Sequence, residues 1–146
     1  SVPFASPYQE AMLALTRTQR IIDKFGDQVF EEHSITNSQY NVLRILRGNP
    51  NALGMTCGDI SSRMLYPDSD ITRLVDKLVK LRYVVRSRCD IDRRKVLTQI
   101  TPDGIALVQE LEPKLQDMMH FALGHVSERN MLTLIQILEE IRSKHI

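Results

Sequence analysis

At 146 residues, with 42% hydrophobic and 25% charged side chains, the chain has the size and composition of one ordinary globular domain able to build its own core. No apolar run approaches the ~20 residues of a membrane span, and only two cysteines, Cys57 and Cys89, are present, too few for a disulfide scaffold and without the C-x-x-C spacing of a zinc or redox site. The formal charge of +1 hides a division: Ile71 to Lys95 holds nine basic residues against three acids, so the remainder is five negative. Such a segment is either the footprint of a surface that meets a polyanion or a solvated, salt-bridged face.

The N-terminal arm is punctuated by Pro3 and Pro7, after which Tyr8, Met12, Leu15, Ile22, Phe25 and Val29 recur at helical spacing and predict one long helix ending near His33. Thr36-x-x-Gln39 is a capping box that opens a second helix through Tyr40, Leu43 and Leu46, and Gly48 stands where a left-handed C-cap belongs. Beyond an irregular connection with Pro50 and Gly54, Thr56-x-x-Asp59 repeats the capping pattern with Asp in place of Glu or Gln. It predicts a helix of about two turns carrying Ile60 and Met64. A break at Leu65-Tyr66-Pro67 leads into Asp68-Ser69-Asp70, then an apolar face of Ile71, Leu74, Val75, Leu78 and Leu81. Two helices joined by so tight a turn read as a helix-turn-helix.

Tyr83 to Arg88 and Lys95 to Ile100 are β-prone and flank a polar, turn-like stretch, so the basic helix is followed by a hairpin wing. Thr101 and Pro102 supply an N-cap and first-turn proline for another long helix bearing Val108, Leu111, Leu115, Met118 and Ala122, with Pro113 placed to kink it. A last helix begins near Ser127 and turns Met131, Leu134, Ile135, Leu138 and Ile141 one way. The fold class is mainly α with a small β-hairpin wing: a single domain over 1–146, with a winged helix-turn-helix lobe at 54–101 and long helices at 1–33 and 102–146. The end helices carry more apolar surface than the small basic module can cover, so they are expected to dimerise.

Asp59-Ile60-Ser61-Ser62-Arg63-Met64, Asp70-Ile71-Thr72-Arg73-Leu74-Val75-Asp76-Lys77-Leu78, Asp92-Arg93-Arg94-Lys95-Val96-Leu97 and Ile100-Thr101-Pro102-Asp103-Gly104 resemble, in order and spacing, the MarR family of transcriptional regulators. The resemblance covers most of the chain and is strongest from Thr56 to Gly104. One departure stands out: Arg82 occupies the place just after the recognition helix where the family commonly has Gly, which predicts a strained or differently shaped turn. The resemblance implies a homodimer that sets two recognition helices in successive major grooves of a pseudo-palindromic double-stranded DNA operator, with wings reaching the flanking minor groove.

On that scheme the reading half of the helix holds Ser69, Asp70, Thr72 and Arg73, with Arg73 as a bidentate donor to guanine and Lys77 on phosphate. Asp68 is assigned to the helix cap, leaving Asp70 to accept from a cytosine amino group. Arg93 and Arg94 sit at the hairpin tip, where a guanidinium gains from the negative potential of a narrow minor groove. Arg86 and Lys95 complete the basic set. By the resemblance, Asp92 orients the wing through a salt bridge, and a small aromatic or anionic effector binds between the dimerisation helices and the lobe, with Met12, Arg17, Tyr40 and Arg44 as candidate lining residues.

No phosphate loop, nucleophile elbow or catalytic carboxylate pair is present, and His120 and His125, five apart, cannot share a ligand face, so neither catalysis nor a metal or other cofactor is expected. The start Ser1-Val2-Pro3 shows no signal-peptide pattern, and a cytoplasmic, membrane-free protein is expected. Two other readings stay open: a winged-helix protein-interaction module that has lost DNA binding, and a thiol redox sensor acting through Cys57 at a helix N-terminus. Against the second, Cys57 also reads as a small buried hydrophobe.

Overall fold

The computed structural model describes residues 6–50, 53–64, 70–89 and 92–144. In chain order these form α1 (Pro7–Glu31), α2 (Asn37–Arg47), α3 (Cys57–Ser61), α4 (Ile71–Lys80), β1 (Val84–Arg88), β2 (Val96–Ile100), α5 (Pro102–Leu123) and α6 (Glu128–Ser143). None of the described helices is long and apolar enough to cross a membrane.

Helix starts follow the capping chemistry written in the sequence. Ser6 caps α1 with Pro7 at its first position, and the Thr36–Gln39 box closes in both directions on α2. The Thr56–Asp59 box does the same on α3: the Asp59 amide donates to Thr56 Oγ1 at 3.2 Å, and the Thr56 amide donates to Asp59 Oδ2 at 3.2 Å. The shorter aspartate therefore suffices. That helix is only five residues long, however, and Met64, expected within it, follows it and packs against the core.

Helix ends depart further from expectation. Gly48 is right-handed, φ −78°, so α2 closes without the left-handed cap its glycine suggested. Among the described residues the left-handed positions fall instead on Ser34, Arg82 and Gly54. At Arg82, φ 63°, the Arg82 amide donates to the Val79 carbonyl and the Tyr83 amide to the Leu78 carbonyl, the paired bonds of a Schellman ending. The expected strain after the recognition helix is present, carried by a residue with a Cβ. Gly54, φ 96°, is required where it stands, because a Cβ there would lie 2.5 Å from the Thr98 carbonyl oxygen.

The core lies where α2, α4, β1 and the first half of α5 meet: Val42, Leu43, Ile60, Val75, Leu78, Val84, Val108 and Leu111 are all at most 1% exposed. Thr101 locks α5 to the hairpin. Its hydroxyl donates to the Arg82 carbonyl at 2.8 Å and accepts from the Gly104 amide at 3.1 Å. α5 runs on through Pro113. At the other end of the core Lys114 on α5 bridges Glu110, 3.0 Å, and Glu32, 3.3 Å, pinning the end of α1; its hydrogen bond, together with nearby His33, holds the Glu110 carboxyl below its ordinary pKa.

Outside this core the apolar stripes stay open. α6 buries no residue and α1 buries only Phe30, while an apolar trough of about 930 Å³ runs between them, lined by Leu15, Ile22, Leu134, Ile135, Leu138 and Ile141 among others.

Candidate nucleic-acid interface

α4 is amphipathic by position: Val75 and Leu78 are buried, while Thr72, Arg73, Lys77 and Lys80 are exposed. Spacing divides its polar side into two ridges. Arg73, Lys77 and Lys80 follow one another at four and three residues along the outer face, and Thr72 and Asp76 lie four apart on the neighbouring strip. The outer ridge is a line of cations roughly one helical turn apart, the arrangement needed to meet a phosphate backbone and a groove together.

The helix start corrects the sequence reading. Asp70 is the N-cap, with its Oδ1 accepting from the Arg73 amide at 3.2 Å, the place assigned to Asp68. That carboxylate sits against the positive end of α4, where it is stabilising, and it holds the backbone of Arg73. Asp68 and Ser69, the latter a candidate base contact, lie outside the described residues, as do Leu65, Tyr66 and Pro67.

The wing is a two-stranded antiparallel hairpin in which Val84 pairs with Ile100, Arg86 with Thr98 and Arg88 with Val96. A single bridging residue, Met55, absent from the sequence reading, borders it. Met55 and Thr98 exchange both backbone hydrogen bonds, 3.0 and 2.8 Å, which ties the wing to the residue just before the Thr56 cap of α3. Arg93, Arg94 and Lys95 are exposed at the far end.

Asp92 shapes that end by a different route from the one the resemblance implied. Its Oδ1 accepts from the Arg94 amide at 3.1 Å and its carbonyl accepts from the Lys95 amide at 2.9 Å, an Asx-type turn. Among the described residues no ion pair involves Asp92.

Arg86 is not a free cation of the basic segment. Its Nη1 donates to Asp76 Oδ1 and its Nη2 donates to the Thr72 carbonyl at 3.3 Å, both on α4. The strand period could have indicated this: Val84 is buried toward the lobe, so Arg86, two residues on, shares its face.

The four candidate effector residues do not assemble within one chain. Tyr40 is a core residue, 5% exposed and tilted against Phe30 with ring centroids 5.1 Å apart, and burial raises its phenol pKa. Met12 is 65% exposed far along α1, and Arg17 and Arg44 are exposed. None of the four borders the α1–α6 trough, the cleft between α1 and α5 at Phe25 and Phe121, or the cleft beneath the wing at Val85 and Ile105. Cys57 and Cys89 are both partly buried, and Cys57 packs against the core as a small hydrophobe would.

A helix-turn-helix whose basic second helix is flanked by a hairpin with arginines at its tip is the architecture of a winged-helix DNA-binding protein. A model of the MarR family matches residues 33–95, which contain α2 to α4 and the first strand of the wing. The HTH-type transcriptional regulator YsmB of Bacillus subtilis is 31% identical over 107 residues, 73% of this chain and 70% of that protein. The crystal structure of a MarR transcription factor from Planctomyces limnophilus, 33% identical, superposes with a TM-score of 0.72 over 94% of this chain and 98% of its own. BpsR of Bordetella bronchiseptica, known from a structure concerning regulation of its DNA binding by 6-hydroxynicotinic acid, has the same fold, with a TM-score of 0.80 at 23% identity over 96% of this chain and 97% of its own. The chain belongs to the MarR family and is a winged helix-turn-helix transcriptional regulator.

Proposed function

We propose that the chain works as a homodimeric repressor that holds a pseudo-palindromic double-stranded operator and releases it when a small aromatic or anionic molecule binds. The observation that carries this reading is the pairing of two cationic edges on one rigid lobe. Arg73 and Lys77 line the exposed face of α4, while Arg93 and Arg94 occupy the end of a hairpin hydrogen-bonded back to Met55, ahead of α3, and to α4. A helix in the major groove with Arg73 toward a guanine, and a wing arginine in the adjoining minor groove, uses both edges at once. Binding rather than catalysis accounts for these residues, and a DNA target accords with a cytoplasmic location.

The second copy is called for by the open trough between α1 and α6, whose apolar walls have no partner within one described chain. Two-fold pairing of these ends gives two lobes to match two half-sites about 34 Å apart. The effector reading draws on BpsR, whose DNA binding responds to 6-hydroxynicotinic acid. Any effector of this chain must bind one spacing of the lobes more tightly than the other, because only differential affinity moves the equilibrium.

Mobility-shift titration against DNA flanking its own gene, at two salt concentrations, tests the reading. A specific shift that weakens with salt is expected, and Arg94→Ala should lower the affinity and flatten the salt slope by about 1.8, about 0.9 from each chain of the dimer. Absence of any specific shift would favour a winged-helix interaction module, and unchanged affinity in Arg94→Ala would remove the wing from the mechanism.

A further inference from the structure

α4 is joined to the wing at the wrong end for reading DNA. The covalent link runs from its C-terminus through the left-handed Arg82 into β1, whereas Asp70, Thr72 and Arg73 lie at the N-terminus, about 15 Å away along a ten-residue helix. A small tilt about Arg82 would leave that link intact and carry the reading end out of register with the wing. The Arg86 side chain spans the gap. Arg86 reaches from β1 to the Asp76 carboxylate with one guanidinium nitrogen and to the Thr72 carbonyl with the other, so its fork grips the first two turns of the helix. Its partner across the hairpin, Thr98, is bonded through both backbone groups to Met55, ahead of α3. The wing root is thereby tied to α3 by backbone and to the reading end of α4 by Arg86.

We propose that Arg86 is a positioning residue: through Asp76 and Thr72 it holds the recognition helix and the wing as one DNA-reading body, and it does not itself meet DNA. The inference rests on the DNA-binding reading above. Charge supports it. Asp76 lies beside the Arg73–Lys77 ridge, where an unneutralised carboxylate would repel phosphate, and Arg86 cancels that charge while using it as an anchor. Both side chains keep partial solvent contact, so the pair adds little to stability, and its effect belongs to geometry.

The two roles give opposite signs at Asp76. The test uses a duplex selected by the full-length wild-type protein from a random pool, with affinities for Arg86→Gln, Arg86→Lys, Asp76→Asn and the Arg86→Gln/Asp76→Asn double variant measured across salt concentrations. Positioning predicts that Arg86→Gln and Asp76→Asn each weaken specific binding about tenfold, the cost of misaligning a bidentate contact such as that of Arg73. The double variant should be no weaker than the worse single one, and the salt slope should stay at its wild-type value. Arg86→Lys keeps the charge but cannot span both acceptors, so it should also weaken binding; it serves as well if Arg86→Gln does not fold. A direct phosphate contact predicts the reverse: tighter binding in Asp76→Asn, near-normal affinity in Arg86→Lys, and a slope reduced by about 1.8 in Arg86→Gln, about 0.9 from each chain, and that pattern overturns the proposal. Wild-type affinity in all four variants overturns it too. A wild-type protein that selects no consensus instead defeats the DNA-binding reading.

Discussion

Leu78 on α4 and Leu134 on α6 are the same residue on amphipathic helices, yet Leu78 is wholly buried and Leu134 is 41% exposed, as is its neighbour Ile135 at 44%. The lobe closes its apolar surface within one chain because short helices and a hairpin wrap α2 and the start of α5 from several sides. α1 meets the core only at its C-terminal end, where Phe30 packs on Tyr40, and an apolar trough remains between the rest of α1 and α6. The contrast teaches that amphipathicity states how much surface must be covered without saying by which chain. It also separates what folds the lobe from what the proposed partner contributes.

The largest expected effect breaks the second half of that contrast. Leu134→Glu together with Ile135→Glu puts two charges into the trough, and light scattering should fall from the mass of two 16.8 kDa chains to that of one, while the lobe keeps its helical circular dichroism. A wild-type protein that is already monomeric at micromolar concentration would remove the dimer from the proposal. In the lobe, Leu78→Ala should cost about 3 kcal/mol in denaturant unfolding, the loss of a fully buried leucine plus its cavity, whereas Leu134→Ala in the separated monomer should cost far less. Equal costs would erase the distinction.

Smaller effects sharpen the lobe's own construction. Arg82→Gly relieves a left-handed residue and should raise stability by about 1 kcal/mol in the same assay. No gain would mean that the arginine side chain offsets its backbone strain. At α3, hydrogen bonds from the Thr56 hydroxyl and amide hold the Asp59 carboxyl below its ordinary pKa. A depressed folded-state pKa means the cap's contribution is present above the unfolded value and lost as pH falls through the folded one. Asp59→Asn should therefore lower stability at neutral pH and flatten the acid limb below about pH 4, the two profiles converging in acid. An unaltered acid limb would show that the carboxylate's charge is idle.

Much of the lobe was legible in the sequence because its signals are local. A capping box, a proline at a first helical position and period-two strands each involve residues a few positions apart, and the structure places Thr36, Thr56, Thr101 and Pro102 in those roles. What escaped depends on distant segments meeting. The Met55–Thr98 bridge joins residues 43 apart, and Arg86 finds Asp76 only because the hairpin folds back on α4. Charge alone counted Arg86 among the cations offered to a polyanion, since composition cannot show a pairing across elements. Tyr40 stayed open for a related reason: its helical spacing suits core packing as well as a ligand pocket, and its burial against Phe30 is visible only in the fold. The choice between Asp68 and Asp70 as cap turned on a two-residue shift in where α4 begins.

The length of α1 has a mechanical consequence. Twenty-five residues make a rod about 37 Å long, buried at its C-terminal end by Phe30 and carrying its exposed apolar side chains away from the lobe. Such a rod gears angle into distance: pivoting by about 5° moves its far end by about 3 Å, close to the 3.4 Å rise of one base pair. A two-fold pair of rods would double the change. An event too small to alter either lobe could thus shift the spacing of two recognition helices by more than one step of the DNA ladder.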